Sequence, residues 1–165
     1  MLEKTALVLI DVYNDFLHPD GKATAALSES LSKFHTIEHI QQALEAARSA
    51  KFPVYYSLHQ QYHDGKYTGF EHWNPMLQSV EAARSFEEGS FGAQIYQGLE
   101  PDAKNGDTVI SKHWNQRPVA SQAGPSFNNT DLDWLLRQKD ITHLVFAGLV
   151  ANTCIETTAR VANEQ

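Results

Sequence analysis

The chain has 165 residues, a hydrophobic fraction of 42%, a formal net charge of −7 and a single cysteine. That length suits one domain with a packed core, so residues 1–165 are expected to form a single unit. Lys and Arg are spread along the chain, which leaves no basic patch for nucleic acid or an anionic membrane surface and points to a small neutral or anionic molecule as partner. One cysteine cannot close an internal disulfide. The run Ala6–Ile10 is too short, and too soon interrupted by Asp11, for a signal peptide or membrane span, so a cytoplasmic setting is the expectation.

From Thr5 to Val12 the continuous run Ala6-Leu7-Val8-Leu9-Ile10 reads as a strand buried on both faces. The polar stretch Asn14, Asp15, His18, Pro19, Asp20, Gly21 is its exit loop. Between Ser32 and Ala50 the apolar residues Phe34, Ile37, Ile40, Ala43, Leu44 and Ala47 recur at three and four, which predicts one amphipathic helix. Pro53 to Leu58 gives a second strand. His59 to Gly106 is irregular, and a connection that long is expected to carry function or short elements of its own.

Asp107 to Ser111 is a third short apolar run and ends at Lys112. Asp131 to Lys139 reads as a helix, with Thr130 and Asp133 as a capping pair. His143 to Ala147 is a fourth strand, broken by Gly148, and residues from Thr153 onward suit a third helix. This order implies an α/β layered structure with a mostly parallel sheet.

Cys154 stands between the fourth strand and the last helix. Near a helix N-terminus, where N–H groups lack intrahelical partners, a thiol of pKa about 8.5 can fall toward or below neutrality and work as a thiolate. The other reading is a small buried hydrophobe. The choice turns on the neighbours. Ligands of an open parallel sheet gather at the carboxyl edge of its strands, and Asp11, Lys112 and Cys154 each fall at or just beyond such an end. Sulfur, carboxylate and ammonium at one edge suit nucleophilic catalysis, with Asp11 taking the thiol proton and Lys112 favouring the thiolate.

The segments Ala6-Leu-Val-Leu-Ile-Asp-Val-Tyr-Asn-Asp-Phe16, Asp107-Thr-Val-Ile-Ser-Lys-His-Trp-Asn115 and Ala147-Gly-Leu-Val-Ala-Asn-Thr-Cys-Ile-Glu156 resemble the three signature blocks of the isochorismatase-like cysteine hydrolases, in that family's order and approximate spacing. The resemblance implies a Rossmann-like three-layer fold with helices on both faces of a mostly parallel sheet. It implies Cys154 as nucleophile, Asp11 as general base and then acid, and Lys112 as the charge that holds both. It also implies a non-proline cis peptide joining Leu149 to Val150, an oxyanion hole from the N–H groups of Val150 and Cys154, and a homo-oligomer.

Two departures stand out. The Asp-x-His metal pair of nicotinamidases in the family is not matched: Ser57-Leu-His-Gln-Gln61 puts His59 near the aspartate position and Gln61 near the first histidine. No metal and no cofactor are therefore expected, and His59, His63 and His72 read as loop or pocket histidines. Family members also continue beyond the cysteine helix with another strand and helix, so the sequence reads as lacking those elements.

Phe16, Trp73, Phe91, Trp114 and Phe127 fall in loops near the proposed site and offer aromatic walls for a small-molecule pocket. Phe16, His59, Trp114 and Asn152 are the expected substrate contacts. The activity this implies is cleavage of a small amide-like C–N bond (a carboxamide, ureido or carbamoyl group) through a Cys154 thioester. Vinyl-ether hydrolysis releasing pyruvate and a non-catalytic binding protein on the same fold are the alternatives.

Overall fold

A computed structural model describes residues 4–71, 75–113 and 126–164. Four strands form its sheet among the described residues: β1 (Thr5–Ile10), β2 (Val54–His59), β3 (Thr108–Lys112) and β4 (His143–Gly148). Their order is β3-β2-β1-β4 and every pairing is parallel. The central strands β1 and β2 are buried along their whole length, as their unbroken apolar composition requires when both faces are covered.

The helices are α1 (Asn14–Leu17), α2 (Ser28–Lys33), α3 (Thr36–Ser49), α4 (Pro75–Ala83), α5 (Leu132–Gln138) and α6 (Glu156–Glu164). On one face of the sheet, Leu7, Leu9, Tyr56 and Leu58 pack with Ile40, Leu44 and Ala47 of α3. On the other, Ala6, Val8, Ile10, Tyr55 and Ile110 pack with Leu132 and Leu136 of α5 and with Val161 of α6. Alternate residues of β1 thus feed two separate cores. Each fully buried Leu or Ile contributes about 1.5–3 kcal/mol through removal of apolar surface from water.

Three local expectations are corrected. The single helix expected over Ser32–Ala50 is two, because His35 adopts a left-handed φ of 47°, which cannot continue a right-handed helix. Phe34, expected on the inward face, is 59% exposed at that break. At α5, Thr130 Oγ1 accepts the Leu132 N–H at 3.3 Å, but Asp133 pairs with Arg137 one turn on and closes no capping box. The cysteine lies in a wide π-helical turn, Ala151–Ile155, ahead of α6, in which the Ile155 N–H reaches back five residues to the Val150 carbonyl at 3.3 Å. The 59–106 stretch carries α4 as an element of its own.

Two features aim the last strand's exit loop. Gly148 sits at φ 123°, and a Cβ there would lie 2.0 Å from the Ile10 carbonyl oxygen, so only glycine lets β4 close against β1 at this level. The next peptide, Leu149–Val150, is cis, as the family resemblance implies. A buried hydroxyl cluster then fixes α6: Ser57 Oγ on β2 and Thr158 Oγ1 on α6 both donate to Ser126 Oγ, at 2.8 and 3.0 Å.

Gly148→Ala is expected to lower the unfolding free energy by roughly 3 kcal/mol, since left-handed strain and a backbone clash coincide there. Urea unfolding measures it, and an unchanged midpoint would count against the close β1–β4 approach. Ser126→Ala is expected to cost roughly 1–3 kcal/mol by stranding two buried hydroxyls. A loss below a few tenths would show that the cluster contributes nothing to the docking of α6.

Candidate active site

Each strand delivers one polar side chain to the carboxyl edge of the sheet. Asp11 follows β1, His59 ends β2, Lys112 ends β3, and Cys154 lies in the π turn beyond β4. In the order β3-β2-β1-β4 the chain reverses its direction of travel across the sheet between β1 and β4, the crevice where open α/β sheets receive ligands.

Asp11 has a left-handed φ of 54°, a conformation that aspartate tolerates better than most residues. Its N–H donates to the Ser57 carbonyl at 3.1 Å and its own carbonyl accepts the Tyr13 N–H at 2.8 Å. So held, Oδ1 accepts the His59 backbone N–H at 3.0 Å, and Oδ2 lies 2.6 Å from Lys112 Nζ and 3.1 Å from His59 Nε2. The same Nε2 is 3.6 Å from Cys154 Sγ. Lys112, Asp11, His59 and Cys154 thus form one run of contacts. Asp11 and Lys112 are wholly buried, His59 is 2% exposed and Cys154 6%.

Burial pushes the Asp11 carboxyl up, but the charges and hydrogen bonds of His59 and Lys112 outweigh it and hold the group at about 2. Burial pushes His59 down from its ordinary value despite the opposing carboxylate, which leaves the ring uncharged at neutral pH. The lasting positive partner of Asp11 is therefore Lys112. Burial and the Asp11 charge push the Cys154 thiol up to about 11, with Lys112 and Thr153 opposing. Of the two readings of Cys154, thiolate or buried thiol, this favours the second at rest: a π turn under a buried carboxylate does not give the sulfur the exposed, cationic surroundings that lower a thiol's pKa.

Asp11, His59 and Cys154 offer three donor atoms within 4.8 Å of one another, the donor set a thiophilic metal would use. Lys112 already occupies Oδ2, so a cation entering there would meet an ammonium group. The arrangement suits movement of a proton between sulfur, imidazole and carboxylate.

The remaining expected contacts are distributed around this cluster. Val150 caps the π turn, and its carbonyl accepts the Thr153 and Ile155 N–H groups. Asn152 is exposed in the same turn. Phe16 is half-buried and packs tilted against Phe86, with ring centroids 4.8 Å apart. Phe127 is in the second core cluster, while Phe91 is exposed and meets the His18 ring edge-on. His63 is exposed, with its Nδ1 3.0 Å from the Asp64 carbonyl. Trp114, Trp73 and His72 lie outside the described residues. Sequence reasoning put His59 on a pocket wall, whereas its ring sits inside the cluster. The signal that could have found it is its place as last residue of β2, the same criterion that selected Asp11 and Lys112.

A family model described as the isochorismatase domain matches residues 5–165. Ureidoacrylate amidohydrolase RutB of Serratia proteamaculans is 30% identical over 172 residues, covering 96% of this chain and 63% of the relative; the Yersinia enterocolitica protein of the same name is 30% identical, with 94% and 67% covered. The chain thus spans about two thirds of the length of these curated relatives. Among solved structures, a cysteine hydrolase from Pseudomonas syringae superposes with a TM-score of 0.72 at 25% identity, covering 99% of this chain and 68% of that one. N-carbamoylsarcosine amidase from Thermoplasma acidophilum gives 0.65 at 26% identity, with 95% and 74% covered. With the family model matching all but the first four residues and a parallel α/β sheet common to these structures, the chain belongs to the isochorismatase family.

Proposed function

We propose that the protein is a cysteine hydrolase that cleaves an amide-like C–N bond in a small ureido or carbamoyl compound, with Cys154 as nucleophile. The observation that carries this reading is the buried run of contacts from the Lys112 ammonium through the Asp11 carboxylate to the Cys154 sulfur, supplied by residues as far apart in sequence as Asp11 and Cys154. The names of the relatives, a ureidoacrylate amidohydrolase and an N-carbamoylsarcosine amidase, support the substrate class.

In this reading the sulfur adds to the substrate carbonyl carbon. Its proton passes to the acid–base pole centred on Asp11, which Lys112 keeps ionised. The N–H groups of Val150 and Cys154 receive the oxyanion, where a donor pair is worth a few kcal/mol in the transition state. The leaving nitrogen takes up the proton and departs as an amine or ammonia, and water then cleaves the Cys154 thioester. Phe16 and Asn152 are the proposed pocket wall.

Ammonia release from ureidoacrylate, N-carbamoylsarcosine and related carbamoyl compounds is the direct assay. Cys154→Ala is expected to abolish it, by roughly 10³-fold or more. Turnover that survives this change would sink the thiol route, and pyruvate release from isochorismate by the same variant would favour vinyl-ether hydrolysis instead.

The ionised state of Asp11 has its own test. A carboxyl held at about 2 against an ordinary 3.8 stabilises the fold fully above the higher value and loses that contribution as pH falls through the lower. At about 1.4 kcal/mol per pKa unit, this amounts to about 2 kcal/mol. The stability difference between the wild type and Asp11→Asn is therefore expected to shift against the wild type by about 2 kcal/mol on going from about pH 5 to pH 2. A difference independent of pH in denaturant titrations would mean that Asp11 is not held ionised.

A further inference from the structure

His59 is buried at the centre of the cluster, and the steps above give it no task. Its backbone is held at both ends: the N–H donates to Asp11 Oδ1 at 3.0 Å and the carbonyl accepts the Tyr13 hydroxyl at 2.8 Å. It also pairs with Lys112 in the β2–β3 register. This fixes the ring so that one nitrogen, Nε2, faces both the sulfur at 3.6 Å and Asp11 Oδ2 at 3.1 Å.

We propose that His59 is a further catalytic residue: with its ring proton on Nδ1, Nε2 takes the thiol proton of Cys154 as the sulfur attacks, and the Asp11 carboxylate stabilises the imidazolium that forms. The inference rests on the cysteine hydrolase reading and assigns the first stop of one proton within it.

The reason lies in how the charges are shared. Lys112 Nζ is 2.6 Å from Oδ2, and an ammonium at that distance makes the carboxylate a weak base, though a strong counter-charge. An uncharged imidazole beside the sulfur is a better acceptor. Burial keeps the resting ring neutral, while Asp11 and a backbone hydrogen bond at His113 favour its charged form once a proton arrives. Besides burial, Asp11, Lys112 and the His113 backbone set this balance, and the other titratable groups against His59 are Cys154 at its Nε2 and Tyr13 at its backbone carbonyl.

The step balances. The S–H bond breaks as Nε2–H forms, the sulfur electron pair makes the S–C bond, and the carbonyl π pair moves to oxygen. When the adduct collapses, the C–N bond breaks, the departing nitrogen takes the proton from Nε2, and the ring returns to its neutral form.

Alkylation by iodoacetamide tests this without a substrate, since the chain holds one cysteine. A neutral imidazole that assists the sulfur makes the wild-type rate level off between about pH 7 and pH 9, where an unassisted thiol speeds up about tenfold per pH unit. His59→Gln keeps hydrogen-bonding capacity and removes the base. It is expected to alkylate roughly 10²-fold more slowly at pH 7 and to recover about tenfold per pH unit. His59→Asn repeats the test, and thermal melting identifies any variant that has not folded. A wild-type rate that climbs tenfold per unit with no plateau overturns the proposal without any variant, as does a folded His59→Gln protein with the wild-type profile. Failure of the parent reading looks different: Cys154→Ala would still hydrolyse substrate, whatever the alkylation profile.

Discussion

The ion pair between Asp11 and Lys112 is the constraint from which the site follows. Both groups are wholly buried, and their nitrogen and oxygen are 2.6 Å apart. Neither charge is tolerable there alone, because a buried ion without its partner loses hydration and gains nothing in return. The ends of β1 and β3 must therefore reach the same level, and β2 lies between them. The His59 backbone N–H on Oδ1 adds to the shell that makes the carboxylate stable in the dry interior.

The sheet turns this local requirement into a site. In the order β3-β2-β1-β4, β1 is central, so the carboxylate at its end lies between His59 and Lys112 on one side and the Cys154 loop on the other. Parallel strands point all their carboxyl ends one way, which is why residues from every quarter of the sequence converge without any local motif. Gly148 decides how near the last partner comes. Because it has no Cβ, β4 closes against the Ile10 backbone, and the π turn after Val150 brings the sulfur over the carboxylate.

The resting electrostatics of the cluster are those of a protonated thiol beside an ionised carboxylate and a neutral imidazole. Such a site stores no reactive thiolate. A thiol in this state needs a base to take its proton before the sulfur can act as a nucleophile. The same burial that raises the thiol also strengthens every charge–charge interaction around it.

The four strands were legible from the sequence because each is a short apolar run ended by a polar or glycine residue, although only β1 and β2 are covered on both faces, whereas Val109 of β3 and Val145 of β4 are exposed. Strand polarity then located Asp11, Lys112 and Cys154 at one edge. The break at His35 was not legible, since a left-handed residue leaves the apolar spacing of Ile37, Ile40, Leu44 and Ala47 intact. The protonation state of Cys154 was not legible either: position near a helix start suggested a thiolate, whereas depth and the nearby Asp11 charge, both products of packing, raise the thiol. For the same reason His59 moved from pocket wall to centre. Sequence alone determined which side chains could carry chemistry and to which edge they belong, because periodicity and polarity are properties of the chain. Only the tertiary structure decided their distances, their burial and therefore their charges, because those depend on atoms brought close by residues far away in sequence.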